Sequence, residues 1–131
     1  GKIEPGTISK QMVSNYDFLN TLAEIVGQET VSGKDGISYA KTLFGDDSEI
    51  RDYTVYASYL GPAIVTKEGW KLRYYLQENV FQLFSLPDDY KEENDLSELH
   101  PARVKMLKDT LFIACEKDWN NGLGGQTVAL N

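Results

Sequence analysis

Four strand-like stretches follow one another between residues 53 and 86 with only short turns between them, and this crowding limits what the chain can become. "YTVYASYL" is rich in β-branched and aromatic residues and breaks at Gly61-Pro62; "PAIVTKEGWKLRYYL" turns at Glu68-Gly69; "VFQLFSL" stops at Pro87. Such turns cannot hold the long crossover that a parallel pair needs, so neighbouring strands must run antiparallel. The predicted strands are 53–60, 62–67, 70–76 and 80–86. In the third, Trp70, Leu72 and Tyr74 alternate with Lys71, Arg73 and Tyr75, the period of a strand with one apolar face and one wet face.

Helical patterns flank the strands. From Met12 to Val26 the apolar residues Val13, Tyr16, Leu19, Leu22, Ala23 and Val26 recur every three or four places, an amphipathic helix that Ser14 and Asp17 can cap and Gly27 can end. "ISYAKTLFG" predicts a short helix closed by Gly45. A third helix begins at Pro101, whose missing N–H would have no partner at that position anyway, and Val104, Leu107, Leu111, Ala114 and Cys115 form its apolar stripe. The expected class is α+β: a small four-stranded antiparallel sheet packed by a C-terminal helix and preceded by one or two helices. With 131 residues, 41% of them apolar, the chain suits one domain over 1–131. Within it, 1–50 reads as a helical connecting segment, 51–117 as sheet plus helix, and 118–131 as a loose glycine-rich tail with "TVAL" a weak strand candidate.

Composition removes several functions. Thirteen basic against twenty acidic side chains leave a formal charge of −7, which repels phosphate backbones, so no nucleic-acid partner is expected. No apolar run approaches the roughly 18–20 residues of a membrane span, and no membrane partner is expected either. The opening Gly1-Lys2, without methionine, suggests a processed or excised piece.

The sequence holds no catalytic or metal-binding constellation. His100 is the single histidine and Cys115 the single cysteine, so neither an internal disulfide nor a zinc motif can form. Cys115 sits among apolar neighbours and reads as a buried structural thiol, and His100-Pro101 reads as a helix boundary. The pairs Asp46-Asp47, Asp88-Asp89 and Glu92-Glu93 lie in polar loops where water keeps both members ionised. "DWNNG" at Asp118 lacks the later glutamate of a full calcium loop. Two readings of the hairpin stay open: ordinary half-buried sheet, or a rim in which Lys71, Arg73 and nearby Tyr59 face an anionic ligand.

The order of motifs adds a resemblance. "GKIEPGTISKQMVSNYDFLNTLAEIVG", "DGISYAKTLFG", "AIVTKEGWKLRYYL" and "VFQLFSLPDDYKEENDLSELHPARVKMLKDTL" together resemble the C-terminal part of a sulfatase, a family of the alkaline-phosphatase superfamily, over roughly residues 1–115. The family's S-x-x-D-x-x-x-T-L helix is matched by Ser14, Asp17, Thr21 and Leu22, and its D-G-x-S turn by Asp35, Gly36 and Ser38. Its W-K-L strand is matched by Trp70, Lys71 and Leu72, the following L-Y/F-x-L strand by Leu83 to Leu86, and its acidic E-x-N-D-L segment by Glu92 to Leu96. Asn20 and Tyr90 stand where the family often has proline, and Ser85 where it often has aspartate.

The resemblance implies a C-terminal fragment of a sulfuric-ester hydrolase that completes the fold and helps shape the substrate cleft, with Tyr59, Lys71 and Arg73 as rim candidates for a sulfate-ester substrate. It implies the N-terminal catalytic domain of the same parent chain as partner, and calcium and formylglycine as the parent's cofactors. Cys115, in "CEKDW", lacks the proline and arginine of the formylglycine motif, so this chain supplies neither cofactor site and is expected to be inactive alone. An exposed apolar patch, with self-association of the isolated fragment through it, is a further expectation. The resemblance implies a periplasmic or secreted parent, and a cytoplasmic one stays open. Two alternatives also stay open: a stand-alone binding module, and the same subdomain of a phosphate or phosphonate ester hydrolase.

Overall fold

The computed structural model describes residues 3–29, 36–46 and 48–123. The chain divides into two compact units, Gly1–Thr54 and Val55–Asn131.

In the first unit a 3-10 turn, Asn15–Asp17, runs into helix α1 (Phe18–Ile25), and the short α2 (Ala40–Leu43) follows. The Ser14 N–H donates to the Asp17 carboxylate at 2.6 Å and the Asp17 N–H to the Ser14 carbonyl at 3.1 Å, so the two expected capping residues close the first turn. At the other end the Gln28 N–H reaches back to the Ala23 carbonyl at 2.8 Å and the Gly27 N–H to the Glu24 carbonyl at 3.1 Å, a closure that satisfies carbonyls left over by the last turn. The helix is shorter than the 12–26 expected, because its first turn is spent on the 3-10 entry. It also faces the other way: Val13, Leu19, Leu22 and Val26 are exposed, while Asp17, Asn20 and Thr21 are buried.

The second unit is built on a four-stranded antiparallel sheet in the order β1 (Tyr53–Tyr56), β2 (Ala63–Thr66), β3 (Trp70–Tyr75), β4 (Val80–Ser85). All four predicted strands form, each trimmed at its ends by turns. The register pairs Ile64 with Leu72 and Leu72 with Leu83, which lines one face with aliphatic side chains. Helix α3 (Pro101–Ala114) covers that face, and Ile64, Leu72, Leu83, Leu107, Leu111 and Cys115 form the core. Of the helix stripe, Ala114 departs from expectation and is exposed.

Gly61, between β1 and β2, has φ +141, and a Cβ there would stand 2.2 Å from the Tyr74 carbonyl oxygen. Only glycine lets the two backbones approach so closely.

Two placements differ from the sequence expectation. Residues 118–123, assigned to a loose tail, form an ordered turn whose Trp119 packs against the core. Trp119 opens a 3-10 turn, Trp119–Gly122, and its ring lies 4.7 Å from both Tyr74 and Phe112 and 5.7 Å from Phe81. Tyr74 and Phe81, partners across β3 and β4, stack at 4.3 Å, so a single tryptophan closes an aromatic cluster at the end of the core. The "TVAL" candidate lies outside the described residues. The second difference is on β3, where Lys71, expected on a wet face, is buried. On the face opposite α3, Glu92 of the acidic segment after β4 comes back to meet Lys71.

Leu72 is fully buried at the centre of the register, so Leu72→Ala should cost about 2–5 kcal/mol. Denaturant unfolding followed by tryptophan fluorescence measures this, and a loss below about half a kcal/mol would contradict the core described here.

Candidate functional site

The residues of the helix and turn motifs meet in the first unit around one buried carboxylate. Asp17 is fully buried, and its oxygens accept from the Ser14 N–H at 2.6 Å, from the Ile37 N–H at 2.9 Å and from the Arg51 guanidinium. The Thr21 hydroxyl donates to the Asp17 carbonyl at 2.8 Å and accepts from the Tyr39 N–H at 3.1 Å. The Asn20 amide donates to the Gly36 carbonyl. Gly36 must be glycine because a Cβ would lie 2.3 Å from the Tyr16 carbonyl oxygen. Asn20 stands where the resemblance expects proline, and its side chain uses the change to tie the helix to the turn. Arg51 also donates to the Tyr16 hydroxyl at 2.9 Å, and its Nε is a buried donor left without a partner. Apart from that Nε, the groups named here are spent on one another, so the cluster is a staple between α1 and the loop before α2. Asp35, the first residue of the turn motif, lies outside the described residues.

The rim candidates lie in the second unit. Lys71 and Arg73 share the sheet face opposite α3, and both point at Glu92: the Lys71 ammonium pairs with one carboxylate oxygen, and an Arg73 nitrogen stands 3.6 Å from the other. Tyr56 stacks under the ammonium at 5.6 Å and Tyr75 beside the guanidinium at 5.7 Å, with the Tyr75 hydroxyl accepting from Arg73 at 3.3 Å. Tyr59 is separate from this pair. It is 79% exposed at the tip of the turn before β2, held by the Ser58 hydroxyl donating to the Gly61 carbonyl at 2.7 Å.

The loop that delivers Glu92 is built by other carboxylates. Asp89 accepts from the Asn94 N–H at 2.8 Å and the Glu93 N–H at 3.1 Å, and these bonds hold its carboxyl below the usual aspartate range. Within the loop they close, Glu92 takes φ +60, uncommon for a side chain other than glycine. Asp95 accepts from the Leu83 N–H at 3.0 Å, and the Leu96 N–H donates to the Leu83 carbonyl at 2.8 Å, so this segment also covers the outer edge of β4. Asp88 takes a 2.6 Å bond from the Ser85 hydroxyl, where the resemblance expects an aspartate.

The remaining reactive groups are likewise engaged. The His100 ring meets Trp70 edge-on at 5.2 Å, and the Arg103 guanidinium lies 4.2 Å over the same indole. Burial pushes the Cys115 thiol up, and Asp118 adds to this. Asp118 caps the turn it begins by accepting from the Asn120 N–H at 3.0 Å. Among the described residues no group of three or more His, Cys, Asp or Glu is placed to hold a metal ion. Asp47 lies outside them.

Arg51, Glu92 as a partner of Lys71, and Trp119 were not picked out from the sequence. Arg51 is 34 residues from Asp17 and Lys71 is 21 from Glu92, so no local pattern pairs them.

No protein-family profile and no curated protein matches the chain. Solved structures do. A Bacteroides thetaiotaomicron protein labelled BT33336S-sulf, from work on glycosaminoglycan metabolism, is 25% identical with a TM-score of 0.65, over 86% of this chain and 27% of that one. The 2-O GAG sulfatase BT1596 is 24% identical with a TM-score of 0.63, over 79% and 25%. BT4656, solved with its substrate D-glucosamine-2-N,6-O-disulfate, is 20% identical with a TM-score of 0.76, over 88% and 26%. The chain thus has the fold of a sulfatase C-terminal subdomain and spans about a quarter of the chains it matches.

Asp17→Ala would strand the buried Arg51 charge, at a cost of about 3–5 kcal/mol, and hydrogen exchange should show it as lost protection at the Ile37 and Tyr39 amides. Glu92→Ala should likewise destabilise the second unit, whereas the double change Lys71→Met with Glu92→Leu should recover most of that loss, because an apolar pair leaves no charge unpaired. Chemical denaturation of the three variants measures both effects, and a double variant no more stable than Glu92→Ala would show that Lys71 does not depend on its partner.

Proposed function

We propose that the chain is the C-terminal subdomain of a sulfuric-ester hydrolase, that it completes the fold of its parent and helps shape the substrate cleft, and that it supplies no catalytic group. The observation that carries this reading is the shared fold over 79–88% of the chain with sulfatases of which it covers only about a quarter. The engagement of Asp17, Lys71, Arg73, Glu92 and His100, and the burial of Cys115, support it. A nucleophile needs a base within reach and an accessible position, and Cys115 is in the core while His100 is packed on Trp70. The residues here do not fit calcium or formylglycine: Asp17, Asp89, Asp95 and Asp118 are taken by backbone N–H groups and Glu92 by Lys71, no group of three or more His, Cys, Asp or Glu among the described residues is placed to hold a metal ion, and Cys115 has neither motif neighbour. Both cofactors would belong to the N-terminal catalytic domain of the parent, the partner in this reading.

Lys71 and Arg73 act in the cleft indirectly, by holding the Glu92 loop. Tyr59 has the free aromatic face that a rim contact requires, and its turn is rigid because Gly61 and Ser58 lock it. Sulfated sugars are the first substrate class to test, since BT4656 binds one and BT1596 is a GAG sulfatase.

The parent protein, assayed for sulfate release from a sulfated glucosamine, should turn over, and this chain alone should not. In the parent, Tyr59→Ala should raise KM by up to about tenfold, equivalent to roughly 1.4 kcal/mol, with kcat little changed. Phosphate release from an aryl phosphate without any sulfate release would move the parent to the phosphate-ester class. Turnover by the isolated chain that vanished on replacing His100 would refute the subdomain reading.

A further inference from the structure

We propose that Arg73 and Gln82, side by side on the sheet face away from α3, bind a singly charged oxyanion carried on a sugar, either a sulfate half-ester or a carboxylate. The inference rests on the sulfatase-subdomain reading for its choice of a sugar, and it gives Arg73 a contact of its own beside its hold on the Glu92 loop. Both residues belong to the second unit.

Charge is the first observation. Lys71 and Arg73 share a single carboxylate, Glu92, and among the described residues no other carboxylate pairs with either. Two cations less one carboxylate leave one positive charge, on a chain whose formal charge is −7. The surplus sits on Arg73. Lys71 is hydrogen-bonded to Glu92, whereas the Arg73 nitrogen stands 3.6 Å from the other oxygen, too far for such a bond. The Arg73 side chain is 27% exposed, so water reaches the surplus charge from one side and a second anion would offset it.

Free donors are the second observation. The Tyr75 hydroxyl accepts from Arg73 at 3.3 Å and Tyr56 takes a further bond, which leaves the rest of the guanidinium N–H groups without a protein acceptor among the described residues. These contacts fix the plane of the group, so its fork needs little further ordering to meet two oxygens of an anion. In the sheet register Arg73 pairs directly with Gln82 of β4, which puts both side chains on one face about 5 Å apart at Cβ. Gln82 is half-buried, and its amide has no protein partner among the described residues. An amide beside a guanidinium suits an anion with a hydroxyl or ring oxygen next to it, which is what a sugar offers. A sulfate half-ester or a carboxylate carries a single negative charge, which matches the surplus. A free sulfate dianion overshoots it and meets repulsion from Glu92.

Side-chain NMR of the isotopically labelled chain tests this, following the Arg73 Nε–H and Gln82 amide signals as a glucosamine bearing one sulfate, glucuronate or inorganic sulfate is added. Ionic strength is held with sodium chloride, so that general screening is the same throughout. At least one of the two sugars should shift both signals and saturate at roughly millimolar concentration, and which one does so decides between sulfate and carboxylate. Arg73→Gln should weaken that binding at least about tenfold, and Gln82→Leu, which leaves the charge untouched, about threefold. Should Arg73→Gln fail to fold, Arg73→Lys keeps the charge without the fork and should also bind more weakly. No saturating shift with either sugar beyond that of chloride would overturn the proposal, as would undiminished binding by the Arg73 variants. Inorganic sulfate binding more tightly than both sugars would overturn it too, by placing a free dianion at the site. Sulfate release by the parent is scored separately: binding here without that activity keeps the site and removes the hydrolase reading, and activity without binding does the reverse.

Discussion

The buried carboxylate of Asp17 organises the first unit. An ionised group with no access to water is tolerated only when paired and hydrogen-bonded, and here two backbone N–H groups and a guanidinium meet that requirement. Its partners come from before the helix, from the loop after it and from Arg51, so one side chain ties together three segments of the unit. The same choice turns the helix polar side in. A segment stapled by charge in this way gains definition from its bonds and leaves its apolar residues for other contacts.

The second unit uses acidic residues differently. A net charge of −7 suggests a surface of solvated carboxylates, yet Asp89, Asp95 and Asp118 cap backbone N–H groups and Glu92 neutralises Lys71. These bonds fold the polar stretch after β4 so that Glu92 reaches Lys71 and Arg73 on the sheet face away from α3. The edge of β4 is likewise closed against further strand pairing. Lys71 and Arg73 on β3 therefore face the loop that carries Glu92, with Tyr75 beside them, while Trp70 and Tyr74 pack on the α3 side.

For the proposed function the consequence is a division of labour. A subdomain whose charged groups satisfy one another is a rigid support, and rigid supports are what position loops at a cleft. Tyr59, standing free on a glycine-locked turn, is the kind of group such a support presents.

Much of this was legible in the sequence. The four strands, their antiparallel pairing, the start of α3 at Pro101 and the Ser14–Asp17 cap follow from alternation, turn residues and spacing, because these act between residues close along the chain. The direction in which each amphipathic element faces was decided only by tertiary structure. Periodicity shows that Leu19, Leu22 and Val26 share a side of α1, but whether that side faces inward depends on Arg51 and on the amides of Ile37 and Tyr39, far along the chain. Likewise the alternation on β3 separates Lys71 from Leu72, but Lys71 is buried because Glu92, 21 residues on, comes back to meet it. Trp119 looked like part of a glycine-rich tail, and only the cluster formed by Tyr74, Phe81 and Phe112 gives it a place in the core. Local chemistry determined which elements form, while long-range pairing of charge and aromatic surface determined which way they face, since those partners meet only once the chain has folded.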